Sequence, residues 1–209
     1  MTTKKITITR ALTELKTLGD RINKMTSEAS FCVLQEKPGQ LPIGFSSVEE
    51  LEKSLKANYQ SLVDLIAYRE RIKQAIVNSN ATTMVTIAGK QYTVAAAIET
   101  KKSSEYKIAL GRAMKSQLDK AVNAKSRLDT QLGNRLDELI KTTFQGKANL
   151  AEADYASIAN PFKRENEVKI VDPLDLSKLI NSLHDEVADF LNNVDDVLAV
   201  SNSTNSIEV

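Results

Sequence analysis

Tryptophan is absent from this 209-residue chain, and cysteine and histidine occur once each, as Cys32 and His184. One cysteine excludes an intramolecular disulfide, and any Cys- or His-based metal site would need nearly all its ligands from other residue types. Glycine (7) and proline (4) are scarce, and aromatic residues make up 5% of the chain. Few turn formers and few large rings fit long helices better than a compact α/β enzyme. No apolar run approaches the ~20 residues of a membrane span. The opening MTTKKITITR lacks the hydrophobic core of a signal peptide. A soluble protein made in a reducing cytoplasm is expected. There is no Gly-rich phosphate loop, no nucleophile elbow and no HExxH, and Gly89-Lys90 stands in a turn rather than in a Walker motif. Neither sign of charge dominates: 28 Lys and Arg against 27 Asp and Glu leave a formal +1, which gives no mandate for nucleic acid or an acidic substrate.

What the chain does have is helical periodicity. Ile8, Ala11, Leu15, Leu18, Ile22 and Met25 recur at three and four, which predicts a helix over 7–27 with a coiled-coil seam. Pro38, Gly39, Pro42 and Gly44 then forbid regular helix, so 28–46 reads as a loop long enough to be partly ordered by packing of Phe31, Ile43 and Phe45. Ser47 and Glu50 form a capping box that opens a second helix over 47–78. Its seam is Val48, Leu51, Leu55, Asn58, Leu62, Leu65, Arg69, Ile72 and Ile76, with Tyr59 and Ile66 beside it. At 1.5 Å per residue it is about 45 Å long and forms an antiparallel hairpin with the first. Asn58 and Arg69 are polar interruptions of the kind that fix register, and a solvated end of the contact explains Arg69 equally well.

Alternation around Ala88-Gly89-Lys90 predicts a β-hairpin over 84–92. Thr93 caps a third helix over 94–142, about 70 Å long, with Ile98, Ile108, Leu110, Met114, Leu118, Val122, Leu128, Leu132, Leu136 and Leu139 as its buried side. Ser103-Ser104, Gly111 and Gly133 are places where it could bend. Residues 143–171 read as an irregular connector with one helical turn near Leu150–Ile158 and a brief strand in EVKIV. Asp172 before Pro173 marks the start of a last helix over 173–200, which buries Leu176, Leu179, Leu183, Val187, Phe190, Val194 and Val197.

One phrase is written twice: SNATTMVTI at 79–87 and SNSTNSIEV at 201–209. Both read as a helix end, a Ser-Asn-x-Thr turn and an alternating strand. The expectation is that 206–209 adds a strand to the 84–92 hairpin, because three strands packed on helices hold where two are marginal. The predicted fold is mainly α: a single elongated domain of long antiparallel helices with a small β-element.

Candidate chemical groups are few. Cys32 reads as a semi-buried small apolar residue. His184 sits beside the last apolar stripe, and Asp185 and Glu186 next to it point elsewhere on a helix. Asp185, Asp189, Asp195 and Asp196 make an acidic face, but a calcium loop needs alternating ligands on a glycine-containing turn. No catalytic, cofactor-binding or metal-binding residue is therefore expected. Charge is uneven along the chain: residues 93–127 carry eight Lys or Arg against three acids, whereas 172–209 carry one Lys against eight acids. The basic helix is expected beside the acidic one, within a chain or between chains. Nucleic-acid binding through Lys101, Arg112 and Lys115 is the alternative use of that charge.

The order of ALTELKTLGDRI, a Pro/Gly loop, LVDLIAYRERIKQAIVNSNATT, a Gly-centred hairpin and YTVAAAIETKK resembles the septicolysin-like family of small helical bacterial and phage proteins. Val77, Asn78, Asn80, Thr83, Gly89, Thr93, Ala96 and Ala97 carry the likeness, over roughly residues 8–120. The segment from Asp172 to Val209 is similar to uncharacterised phage and prophage proteins. The resemblance implies a virion or tail-associated component. The cytolysin name implies pore formation, for which no apolar helix or amphipathic hairpin of sufficient length is present. The functional expectation is a non-enzymatic structural or adaptor protein of a phage virion, homo-oligomeric and docking tail, collar or fibre proteins. A membrane-active toxin-like protein and a nucleic-acid-binding accessory are the alternatives.

Overall fold

The computed structural model describes residues 4–35, 41–144 and 151–209. Pro38, Gly39 and the 145–150 part of the expected connector, Leu150 included, lie outside the described residues. The fold is mainly α. Its elements in order are β1 (Lys5–Thr7), α1 (Ile8–Glu28), α2 (Val48–Thr82), β2 (Met84–Ile87), β3 (Lys90–Thr93), α3 (Val94–Thr143), α4 (Glu152–Glu165), α5 (Leu176–Thr204) and β4 (Ser206–Glu208). The chain divides into two compact units, Met1–Lys102 with Phe190–Val209, and Ser103–Asp189.

In the first unit α1 and α2 form the expected antiparallel hairpin. The α1 seam is as spaced: Ile8, Ala11, Leu15 and Leu18 are buried and Ile22 and Met25 half-buried. On α2 the seam holds from Leu51 to Ile76, except that Arg69 is exposed and Tyr68 takes the covered place. Val48 is also exposed. Asn58 donates from Nδ2 to the Ser30 carbonyl, 3.1 Å away, so this polar seam residue ties the loop to the helix. The Ser47 hydroxyl accepts from the Glu50 N–H, but Glu50 reaches back one residue further than a capping box, to the Ser46 N–H.

The C-terminal strand exists, but its partner is not the hairpin. β4 pairs antiparallel with β1, Ile207 opposite Ile6, and β2 pairs with β3, Val85 opposite Tyr92. The expected three-stranded sheet is thus two two-stranded sheets. β1 escapes detection in the sequence because Lys5–Thr7 is too short to show a period. The Ser-Asn-x-Thr phrases are not turns either. Both are the last helical turn, running to Thr82 and Thr204, held there by threonine hydroxyls that bond back to carbonyls one turn earlier: Thr82 to Asn78 and Ser79, Thr204 to Val200 and Ser201.

The repeat extends well beyond those phrases. Thr83 donates its N–H to the Ser79 carbonyl, and Asn205 donates to that of Ser201. The Thr83 carbonyl accepts from Val94 at 2.9 Å, the first residue of α3, and the Asn205 carbonyl accepts from Ile8 at 3.0 Å, the first residue of α1. Thr93 and Thr7 each cap the helix that follows, through the N–H of Ala96 and Arg10. The cores correspond residue by residue. Ile6, Ala11, Tyr68, Ile72, Ile76, Ile207 and Val209 pack together, and so do Tyr92, Ala97, Phe190, Val194, Leu198, Val85 and Ile87. The sheet fed by α5 therefore closes on α1 and α2, and the sheet fed by α2 closes on α3 and α5. This is the reciprocity of a two-fold, written within one chain. The strands differ at the Ala88-Gly89 turn, which links β2 to β3; both residues have positive φ, 48° and 75°, as a type I′ hairpin requires.

In the second unit the segment after Thr143 departs from expectation. α4 is a 14-residue helix rather than a single turn, with Pro161 inside it and Ala159 buried. Residues 167–171 are not a strand: they run without regular structure, although Val168 and Ile170 are half-buried and their neighbours exposed. The last helix starts at Leu176 rather than Pro173, because Asp175 adopts a positive φ of 51°. Asp172 still serves that start, its carboxylate accepting from the N–H groups of Leu174 and Leu176.

Candidate functional site

The residues singled out for chemistry do not converge. Cys32 is exposed rather than semi-buried. His184 is exposed, with Nδ1 at 3.5 Å from Asp185 of its own helix. Asp195 of the acidic face is taken up by Lys101. Among the described residues no group of three or more His, Cys, Asp or Glu could hold a metal ion. No described helix is long and apolar enough to cross a membrane.

Opposite charge does bring the basic and acidic helices together. Lys101 of α3 bonds to Asp195 of α5 within the first unit, and Lys107 meets Glu186 at 3.4 Å within the second. Lys101 is therefore held by a carboxylate, and a nucleic-acid face built on Lys101, Arg112 and Lys115 loses its first member. Both pairs are solvent-exposed, so each sets register more than it adds stability.

One polar constellation lies between α1 and α2. The Tyr68 hydroxyl donates to Glu14 at 2.8 Å, and Arg71 stacks over the ring at 5.7 Å. The Tyr68 pKa is raised, first because that hydrogen bond holds the proton, then by burial and by the Glu14 charge, against a smaller lowering by Arg71. Tyr68 is missed by seam spacing because it sits one position from Arg69, where the heptad places the contact. Phe190 holds the equivalent place on α5, edge-on to Tyr92 with ring centres 5.5 Å apart and no hydroxyl to satisfy.

The surfaces that remain are apolar and helical. In the second unit, an open groove of about 550 Å³ lies between α3, α4 and the segment after α4, with Leu132, Leu136, Phe162, Val168 and Ile170 as its apolar lining. On α3 the expected buried side is half right: Leu136 is buried and Ile108, Met114, Leu118 and Leu132 are half-buried, whereas Ile98, Leu110, Val122, Leu128 and Leu139 are exposed. The covered side also uses smaller residues, with Val94, Ala97 and Ser104 buried and Gly111 and Ala121 half-buried. Gly111 faces Leu183, whose methyl would lie 3.7 Å from an added Cβ. Tyr106, Leu110, Leu128 and Leu139 then fall close to whole helical turns apart, on one side of α3. Comparison of the chain with models of known families, with curated proteins and with solved structures finds no match.

Proposed function

We propose that this chain is a non-catalytic structural or adaptor protein that self-associates and docks other proteins, a component of a phage virion. The observation that carries the reading is the line of Tyr106, Leu110, Leu128 and Leu139 along α3. Tyr106 is 79% and Leu110 54% exposed on a well-formed helix. Singly exposed apolar residues are ordinary, but an aligned set on one face is the mark of a surface that something covers. The pairing of Lys101 and Lys107 with acids of α5 supports the same reading, since the uneven charge is used for holding helices together. The virion assignment rests on the resemblance of 8–120 to the septicolysin-like family of bacterial and phage proteins and of the C-terminal segment to uncharacterised phage and prophage proteins, with synthesis in the host cytoplasm.

The test is capture: immobilised full-length protein is exposed to dissociated tail, collar and fibre proteins of a phage that encodes it, beside a variant carrying Tyr106→Ser and Leu110→Ser. Retention of one virion protein by the native chain, lost in the variant, is the expected result. Equal retention by both, or none by either, contradicts the reading.

A further inference from the structure

The duplicated architecture supplies an internal comparison for each helix face. α2 and α5 occupy equivalent places, each leading through a capped last turn into a strand. A side-chain pattern that the fold itself demands should therefore appear on both. One face of α2, beside the α1 seam, fails that test; its Ile66 and Glu70 border an open hollow with Gly19, Ile22 and Asn23 of α1. Tyr59, Val63, Ile66, Glu70, Lys73 and Val77 recur at four and three, so they form one stripe, and it lies to the side of the α1 seam. All six are exposed, Tyr59 at 62%, Ile66 at 38% and Val77 at 47%. At the equivalent register of α5, the apolar members are replaced by Asn181, Asp185, Ala188 and Ala199. The fold closes without large apolar side chains on this face, so α2 carries them for another purpose.

Their order identifies what covers them. Glu70 and Lys73 stand in the middle of the stripe and make no ion pair with any described residue. With an antiparallel second copy of α2, its two-fold axis midway between Glu70 and Lys73, each Ile66 meets the other copy's Val77. Each Glu70 meets the other copy's Lys73, and Val63 and Tyr59 flank the contact. The stripe is complementary to itself in that one register: apolar against apolar at both ends, acid against base at the centre. A contact of this kind is isologous, every interaction occurring twice. We propose that this face of α2 is the interface of a symmetric homodimer, which deepens the self-association in the function proposed above and rests on it.

The charge order makes the test specific. Glu70→Lys alone places lysine opposite lysine at two points of the interface, and Lys73→Glu alone does the same with acids. The double variant restores opposite charges across the two-fold. Sedimentation velocity of the full chain over a dilution series is expected to show a monomer–dimer equilibrium, weakened about tenfold or more by either single change and returned to near the native constant by both together. Helix content by circular dichroism is expected to stay unchanged, since both side chains face solvent. Self-association that ignores the single changes, or that the double variant does not rescue, overturns the interface while leaving self-association itself in place. A chain that stays monomeric throughout overturns the interface and self-association together. Capture of virion proteins, measured on the same preparations, shows separately whether docking survives.

Discussion

Ala88 is the residue with the most evident strain. It sits at φ 48° in the two-residue turn before Gly89, where a Cβ costs roughly 1–2 kcal/mol against the right-handed alternative. Asparagine tolerates that conformation and precedes glycine in the favoured hairpin turns. Ala88→Asn is therefore expected to raise stability by about 1 kcal/mol, read as a shift of the urea midpoint at constant slope. Tyr68 gives a pH signature of known sign. Its pKa is raised in the folded chain by the bond to Glu14. The folded state thus holds the phenolic proton more tightly than the unfolded one, and the stability this contributes is complete below pH ~10 and lost as pH rises through the raised value. Tyr68→Phe is expected to cost roughly 1 kcal/mol at neutral pH. Denaturation at a series of pH values should show the gap between the two proteins closing above pH ~10.

Elements differ in how far their residues declare them. α1, the first part of α2 and α5 were legible because their seams are built mostly from aliphatic residues at three-and-four spacing. α3 was legible as a helix and only in part as a face. Its covered side takes Ile108, Met114, Leu118, Leu132 and Leu136 together with Ala97, Ser104, Gly111 and Ala121, while Ile98, Leu110, Val122, Leu128 and Leu139 remain outside. α4 was hidden by Pro161. The signal that could have revealed it is charge order, with Glu152 and Asp154 in the first turn and Lys163 and Arg164 in the last, matched to the helix dipole. The groove beside it was equally hidden, because Phe162, Val168 and Leu136 meet only through the fold. Gly133 lies in the interior of α3 with open space where a Cβ would stand. Gly133→Ala is expected to stabilise the protein by about 0.5–1 kcal/mol through helix propensity alone, measured by thermal unfolding. Loss of stability there would mean that the glycine serves a close approach within the groove.

For the molecule as a whole, the twice-written phrase has a structural answer. It is the visible part of a module used twice: a helix ends on a Thr-bonded turn, its cap carbonyl receives the first N–H of another helix, and two strands close beneath. Sequence identity survives at Ser79/Ser201, Asn80/Asn202 and Thr82/Thr204, at the helix caps Thr7/Thr93 and at Ala11/Ala97 in the cores. Other core positions have drifted, Tyr68 to Phe190 and Ile72 to Val194, because burial needs only volume and apolarity. The pairing of β4 with β1 was illegible for the same reason, since nothing in a three-residue strand names its partner. The duplication also separates what the fold needs from what it carries in addition, and the apolar stripe of α2 belongs to the second kind.

β1 and β4 form a closed module equal in kind to the β2–β3 hairpin. Native-state hydrogen exchange read at single amides tests it directly. Ile8 and Val209, bonded to Asn205 and Lys4, are expected to be protected to within about an order of magnitude of Val94, bonded to Thr83. Exchange of Ile8 and Val209 at the rate of an unfolded peptide, with Val94 still protected, would contradict it.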